Sequence, residues 1–456
     1  MDTQSTSRIA APGGFLNGAI SELTWEMNWH VVDRSGNSSP GAFTVFQVVQ
    51  DSSLGCHPHH ARILYAGPPP IEAAGRSQIF EFGAVPPGPA TIWPGLTFAR
   101  ASGATVQIGA AAAVTNIGAN VARVGDDGSN HRGLVFEEPR TNLIAASRTM
   151  TGAGWFGGYL TTMSGGLAGP DTATVAVRSQ VGIGGYSNWQ YIGPLTAGSY
   201  VLSEWVQQGT APSLFRLDSL GGTLGGVAVG TTTAAWQRVS VVNSYAANSS
   251  SWPIPVDDAF AGPPGAALDN VTDLYQFEAG SYPTEAILTT NAIATRAGET
   301  LAVSSGASVL DGGRLSLEFR LQPKGSRSAY PMWAESLWTV DGANWAAIDP
   351  ASGVLYVYVS GYVNTAALSP ALSWNALDTL EIYVATGGGL PTEVQYRVNG
   401  ATGGTTRTAT VTGSPLGALT VPGALQLLCY GGGYQFTSYV QHIVALGRTA
   451  RPTWLN

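Results

Sequence analysis

Hydrophobic positions along this chain recur with the period of strands. Leu315, Leu317, Phe319 and Leu321 alternate with Ser316, Glu318 and Arg320, which sends one set to a core and the other to water. Val394, Tyr396 and Val398 alternate with Gln395 and Arg397, and Asn399-Gly400 follows as a turn. Val354 to Val359 is a continuous apolar run, the pattern of a strand buried on both faces. Leu380 to Val384, Leu425 to Tyr430 and Val440 to Leu446 complete this C-terminal set. Further upstream, Tyr200 to Val206, Leu214 to Leu217 and Trp236 to Val241 read as strands, with Gly221-Gly222 and Gly225-Gly226 as punctuation. Near the N-terminus, Leu23 to Val32 and Ala42 to Val49 flank the turn Asp33 to Asn37, and Gln78 to Phe82 is a shorter run. Pro68 to Pro70 and Pro86-Pro87-Gly88-Pro89 are stiff breaks. No segment keeps a helical period beyond about three turns, and no collagen, heptad or short-period repeat is present.

Composition supports many short strands joined by turns. The 456 residues include 59 Gly and 27 Pro, and hydrophobic residues make up 44 %, enough burial material to argue against disorder. Charged residues are only 11 %, against about 25 % in an average globular protein. A net charge of −8 argues against nucleic acid or an anionic membrane as partner. Lys324 is the single lysine, which reads as genome composition bias without functional weight. Cys56 and Cys429 lie at opposite ends of the chain, so a disulfide framework is not expected. The N-terminal residues lack a signal-peptide pattern, and no apolar stretch has membrane-span length. Synthesis in a cytoplasm without export by its own signal is the expectation.

The motifs with chemical potential are sparse. Cys56-His57-Pro58-His59-His60 holds soft metal ligands, but Pro58 stiffens the run and no second ligand pair follows, so a surface loop is the plainer reading. Asp126-Asp127, Glu137-Glu138 and Asp257-Asp258 are carboxylate pairs. Neighbours on a strand point to opposite faces, whereas a glycosidase needs two carboxyls about 5–10 Å apart across the sugar. No Gly-x-Ser-x-Gly elbow occurs, His131 and His442 are isolated, and no glycine-rich stretch runs into the Lys-Ser/Thr of a phosphate loop. Asp257, Asp258, Asp269 and Asp273 offer a calcium ligand set, with solvated turn residues as the alternative. Thirteen tryptophans stand out. Aromatic rings can stack on sugar faces, although large aromatics are more often core or interface residues. The candidates are Trp189, Tyr191 and Trp252 in loop-like contexts, and Trp333, Trp338, Trp345, Trp374, Tyr430 and Tyr434 towards the C-terminus. Three glycines separate Tyr430 from Tyr434 and free both rings.

Two segments carry a resemblance. Gly133-Leu134-Val135-Phe136-Glu137-Glu138-Pro139-Arg140-Thr141-Asn142-Leu143 and Tyr275-Gln276-Phe277-Glu278-Ala279-Gly280-Ser281-Tyr282-Pro283-Thr284 resemble the opening and closing segments of a β-sandwich module of tailed-phage fibre, spike and head-decoration proteins. Leu96 to Ser102, Gly169 to Thr174 and Trp236 to Val241 resemble further parts of that module, with Thr172 where a glycine is usual. The strand order after residue 296 resembles a concanavalin-A-like or laminin-G-like sandwich. The resemblance implies an all-β chain of two jelly-roll-type antiparallel β-sandwiches after a small β-rich N-terminal attachment region. The regions are residues 1–94 for attachment to the particle, 95–295 for a carbohydrate-binding-module-like jelly roll, and 296–456 for the lectin-like sandwich. It further implies a non-enzymatic virion protein on the particle exterior that adheres to host surface polysaccharide. Its other partners would be capsid or tail proteins and its own copies, a homotrimer by analogy with fibres. No cofactor is implied beyond a structural calcium on Asp257, Asp269 and Asp273. A purely structural decoration protein and a polysaccharide depolymerase are the rival readings.

Overall fold

The computed structural model describes residues 77–82, 87–92, 95–109, 113–126, 132–150, 154–222, 226–259, 266–304, 314–324, 335–341, 344–349, 352, 354–359, 362–367, 378–387, 390–398, 407–410, 423–429 and 435–446, together with strands at 23–27, 30–32, 38–40, 44–49 and 62–65. Among these residues every regular element is a strand, and the chain is an all-β protein of antiparallel sandwiches.

One sandwich is assembled from both halves of the sequence. Its eleven-stranded sheet runs Ala113–Ile117, Ala104–Ile108, Ala122–Asp126, Arg132–Phe136, Ser438–Leu446, Arg314–Pro323, Asp378–Gly387, Leu390–Val398 and Arg407–Thr410, with Ser77–Glu81 and Gly88–Ala90 paired off this path. The seven-stranded sheet facing it runs Tyr362–Ala367, Val354–Val359, Asn344–Ile348, Glu335–Asp341, Leu425–Leu427, Thr300–Val303 and Leu96–Ala99. Phe82, Leu96, Leu134 and Phe136 share one core with Leu315, Leu317, Phe319 and Leu321. The alternation expected at 315–321 is therefore observed at its apolar positions, and their partners include residues two hundred positions upstream. Sheet pairing runs across both expected boundaries: Gly88–Ala90 pairs Ala122–Asp126 across 94/95, while Leu96–Ala99 pairs Thr300–Val303 and Arg132–Phe136 pairs Ser438–Leu446 across 295/296.

The second sandwich is inserted into the first. Its five-stranded sheet runs Tyr159–Ala168, Thr174–Tyr186, Leu268–Ala279, Gly198–Gln208 and Gln237–Tyr245, and a three-stranded sheet of Val227–Thr231, Leu214–Leu220 and Trp252–Ile254 accompanies it. Leu202, Val206, Leu217, Val241, Tyr275 and Phe277 fill the core. Glu204 lies on the strand between Leu202 and Val206, fully buried, with no partner for either carboxylate oxygen. Burial alone pushes its pKa well above the carboxylate range.

A neck ties the chain entering the insert to the chain leaving it. Arg140–Asn142 pairs antiparallel with Ala294–Arg296. Buried Asn142 uses its whole amide: Nδ2 donates to the carbonyls of Tyr275 and Ile287, both at 2.9 Å, and Oδ1 accepts from the amides of Ile144 and Phe277, both at 3.0 Å. Glu278 accepts from Gln276 Nε2 at 2.7 Å and from the Thr284 amide and hydroxyl at 2.8 Å. Gly280 sits at φ +131°, and a Cβ there would collide with the Arg140 guanidinium. Beside this lattice, Arg123 and Arg296 bind Glu137 Oε2, while Lys324 bridges Glu137 and Glu285. Arg100 and Arg123 share Glu299. Burial opposes ionisation of Glu137, but Arg296, Lys324 and Arg123 overcome it and hold the carboxyl well below its ordinary range. The one lysine, given no role by the sequence, is thus part of a buried charge cluster.

Candidate functional site

The insert carries a ridge of aromatic pairs. Trp155–Phe156 forms a two-stranded ladder with Trp189–Gln190. The chain from Tyr186 to Ile192 then runs antiparallel to 251–257, through bridges Ile192 to Ser251 and Tyr186 to Asp257. From Trp189 to Ile192 burial alternates: Gln190 and Ile192 point inward, Trp189 is half-buried and Tyr191 is exposed. Each outward ring meets a second aromatic from a neighbouring segment. Phe156 stacks on Trp189 with centroids 4.6 Å apart, Tyr159 leans on Tyr186 at 6.2 Å, and Tyr191 meets Trp252 edge-on at 6.1 Å. Phe156, Tyr159 and Tyr191 keep 48 %, 56 % and 52 % of their surface in water, a concentration of exposed rings that a soluble surface rarely carries without a partner.

Local sequence positions these rings. Gly221, at φ +95°, lets the Trp252 indole pack down, because a Cβ there would lie 2.8 Å from the ring. Asn188 donates to the Met150 carbonyl at 2.6 Å and accepts from the Gly158 amide at 2.8 Å, which fixes the corner between Phe156 and Tyr159. The Tyr191 hydroxyl and Ser250 Oγ share a hydrogen bond of 2.7 Å.

Acidic groups lie behind the ridge. Asp218, on the strand paired with Trp252–Ile254, is hydrogen-bonded to Asp257, and both are buried. Burial first, then the neighbouring Asp257, pushes the Asp218 carboxyl up to about 7. Asp258 binds Arg216 at 2.8 Å and accepts from the Gly184 amide at 2.9 Å.

Of the expected sugar-binding residues, Trp189, Tyr191 and Trp252 are brought together, on short strands and their continuation rather than on loops. Phe156, Tyr159 and Tyr186 complete the ridge and were missed, because nothing local marks an aromatic beside glycine as the partner of another strand. Trp338 points into the core of the larger sandwich and is fully buried. A register shift between Ser336 and Trp338 breaks the alternation, Leu337 and Trp338 both enter that core, and the indole cannot present a face to a sugar. Trp345 is half-buried and stacks on Tyr358 at 5.6 Å, away from the inserted ridge in sequence and in sheet. Tyr430, Tyr434, Trp333, Trp374 and the Cys56-His57-Pro58-His59-His60 cluster lie outside the described residues.

The aspartates expected to bind calcium are dispersed. Asp269 is held by Arg178 at 2.7 Å and by the Thr210 amide and hydroxyl, Asp273 by Arg148 at 3.1 Å, and Asp257 by Asp218. Among the described residues no three acidic, histidine or cysteine side chains gather as a metal site. Glu137 and Glu138, on the link between the strands Arg132–Phe136 and Arg140–Asn142, have different partners: Glu137 joins the buried cation cluster and Glu138 binds Arg140.

No protein-family model matches the chain, and no curated relative matches it. Among solved structures it is similar to the CBM22-1 xylan-binding domain of Paenibacillus barcinonensis Xyn10C, at 13 % identity and a TM-score of 0.23, over 30 % of this chain and 92 % of that one. It is also similar to the N-terminal CBM22-1-CBM22-2 tandem domain of the same protein, at 9 % identity and a TM-score of 0.23, over 69 % and 98 % of the two chains. Likeness at that TM-score carries no argument about this chain.

Proposed function

We propose that this chain is a non-enzymatic virion protein, exposed on a phage particle, whose inserted jelly roll adheres to host surface glycan through the aromatic ridge. The observation that carries the reading is the row of three aromatic pairs with Phe156, Tyr159 and Tyr191 about half exposed. Ring faces cover the apolar C–H face of a sugar, while hydroxyls such as those of Tyr191 and Ser250 serve its hydroxyls. The virion setting is supported by the likeness of 133–143 and 275–284 to phage modules. Copies in a closed homo-oligomer, with a trimer expected, raise weak sites to useful avidity. The absence of catalysis is supported by the state of the nearest carboxyls. Asp218 and Asp257 are buried and in hydrogen-bond contact with each other, closer than the separation of about 5 Å or more that glycosidases use.

A second reading has its own observation. Leu160 and Leu167 on the edge strand Tyr159–Ala168, and Ile183 on the strand next to it, are also exposed, and a contact with another virion subunit would cover them.

The test is binding of the assembled protein and of its Tyr191→Ala/Trp252→Ala variant to host cells and to extracted polysaccharide, with reducing ends assayed in the same tubes. Saturable binding that the variant loses, without new reducing ends, is expected. New reducing ends would overturn the non-enzymatic reading. Neither binding nor cleavage would leave the subunit-contact reading standing.

A further inference from the structure

The surroundings of the ridge differ from most protein surfaces in one respect: they carry no charge. Segments 149–170, 179–203 and 239–256 contain no Asp, Glu, Lys, Arg or His, and together they supply all six ridge aromatics. Of the charged residues adjoining them in the sheets, those beside the ridge are turned inward, whereas Arg178 and Asp269, paired with each other at 24 % and 20 % exposure, stand opposite Ser164 and Gln180, towards the other end of the strand from Tyr186. Asp218 and Asp257 are buried, and the Asp258 and Arg216 side chains are paired with 0 % and 11 % exposure. The polar groups at the ridge itself are neutral hydroxyls and amides, among them Ser250, Tyr191 and Asn188.

From this we infer that the ligand is an uncharged glycan chain, held lengthwise across several sugars; the inference rests on the glycan-binding reading above. A uronate, sialate or phosphate group pressed against these rings would lose water and find no cation to replace it, a cost that a neutral pyranose avoids. The row has length as well as neutrality. From Tyr186 to Tyr191 an extended chain covers roughly 17 Å, which exceeds one sugar ring, and aromatic pairs stand at both ends and between them. Such a row suits the interior of an extended oligosaccharide better than a single terminal sugar.

Calorimetric titration of the full chain tests this with xylan, mannan and a β-glucan against polygalacturonate and alginate, and with neutral oligosaccharides from monosaccharide to hexasaccharide. Binding to at least one neutral polymer is expected, at an affinity constant between about 0.05 and 0.5 M salt. Affinity should rise with oligosaccharide length and fall by roughly tenfold or more in the Tyr191→Ala variant. Salt-sensitive binding of the acidic polymers alone, lost on Tyr191→Ala, would overturn neutrality while leaving the glycan reading intact. A monosaccharide bound as tightly as a hexasaccharide would overturn lengthwise binding. If no saccharide of either class binds, the glycan reading itself falls, and this inference with it.

Discussion

The neck and the ridge of the inserted sandwich are built from opposite materials. The neck is charged, buried and closed: Glu137, Glu138, Arg140, Asn142, Glu278 and Arg296 are each at most 6 % exposed. The ridge is neutral, aromatic and open, with Tyr159 and Tyr191 more than half exposed. The residues that make this chain recognisable as a sequence lie in the neck. The residues with a surface to offer a partner lie in segments without a motif. A recognisable motif can therefore mark what the fold requires to join two sandwiches rather than what the protein binds. Buried polar lattices restrict substitution strongly, because every donor and acceptor must be met.

This contrast is open to measurement. The largest effect is expected in the neck. Glu137→Gln leaves Arg123, Arg296 and Lys324 without their shared counter-charge and should cost about 3–5 kcal/mol of stability, read by denaturant unfolding. Because the Glu137 pKa is depressed in the fold, its contribution is present above the ordinary carboxylate range and lost as pH falls through the lower folded value. The wild-type protein should accordingly lose stability in acid more steeply than the variant.

At the ridge the pattern should reverse. Tyr191→Ala with Trp252→Ala is expected to weaken glycan binding by roughly 10- to 100-fold, an order set by hot-spot aromatics. The Tyr191→Ala change alone should leave stability within about 0.5 kcal/mol, since the ring is half exposed. A large stability loss from Tyr191→Ala would show that the ridge belongs with the neck as structure.

Glu204→Met is expected to stabilise the insert at neutral pH by about 1–3 kcal/mol, because it replaces an unpartnered buried carboxyl with an apolar group of similar size. Melting temperatures of the two proteins should converge as pH falls below the ordinary carboxylate range, where Glu204 is protonated in both folded and unfolded states.

A smaller effect is expected at Asp218. Its raised pKa means that its contribution is full below the ordinary aspartate value and is lost as pH rises through about 7. Hydrogen exchange in the strand Trp252–Ile254 should quicken over that window, and Asp218→Asn should remove the dependence. The smallest effect is expected from Thr141→Val. Although it lies within the recognisable segment, its hydroxyl meets only the Thr295 hydroxyl, at 2.8 Å in an exposed pair, and its loss should cost about 0.5 kcal/mol or less. A cost as large as that of Glu137→Gln would mean that the neck acts through its ladder rather than its buried charges.

Strand content was legible because period-two burial is local. Leu315 to Leu321 is a strand as its alternation requires, Tyr200 to Val206 is a strand buried along its whole length, and of the run expected from Leu425 to Tyr430 the strand covers Leu425–Leu427. Trp189, Tyr191 and Trp252 were legible as candidates because large rings among glycine and serine have little core nearby in sequence. Whether a ring is outside was not legible. Trp338 and Trp345 read alike, yet one fills the core and the other packs on Tyr358.

By itself the sequence determined an all-β chain of low charge. These properties follow from residue type and short-range periodicity. Only the tertiary structure decided that residues 77–136 complete the sheets of 300–446 and that the second sandwich is inserted between them. It alone gathered Glu137, Arg296 and Lys324 into one cluster, and Phe156, Trp189, Tyr191 and Trp252 along one ridge. The physical reason is shared by all of these. Sheet pairing joins strands hundreds of residues apart, and a charge or a ring takes its role from the neighbours that pairing supplies.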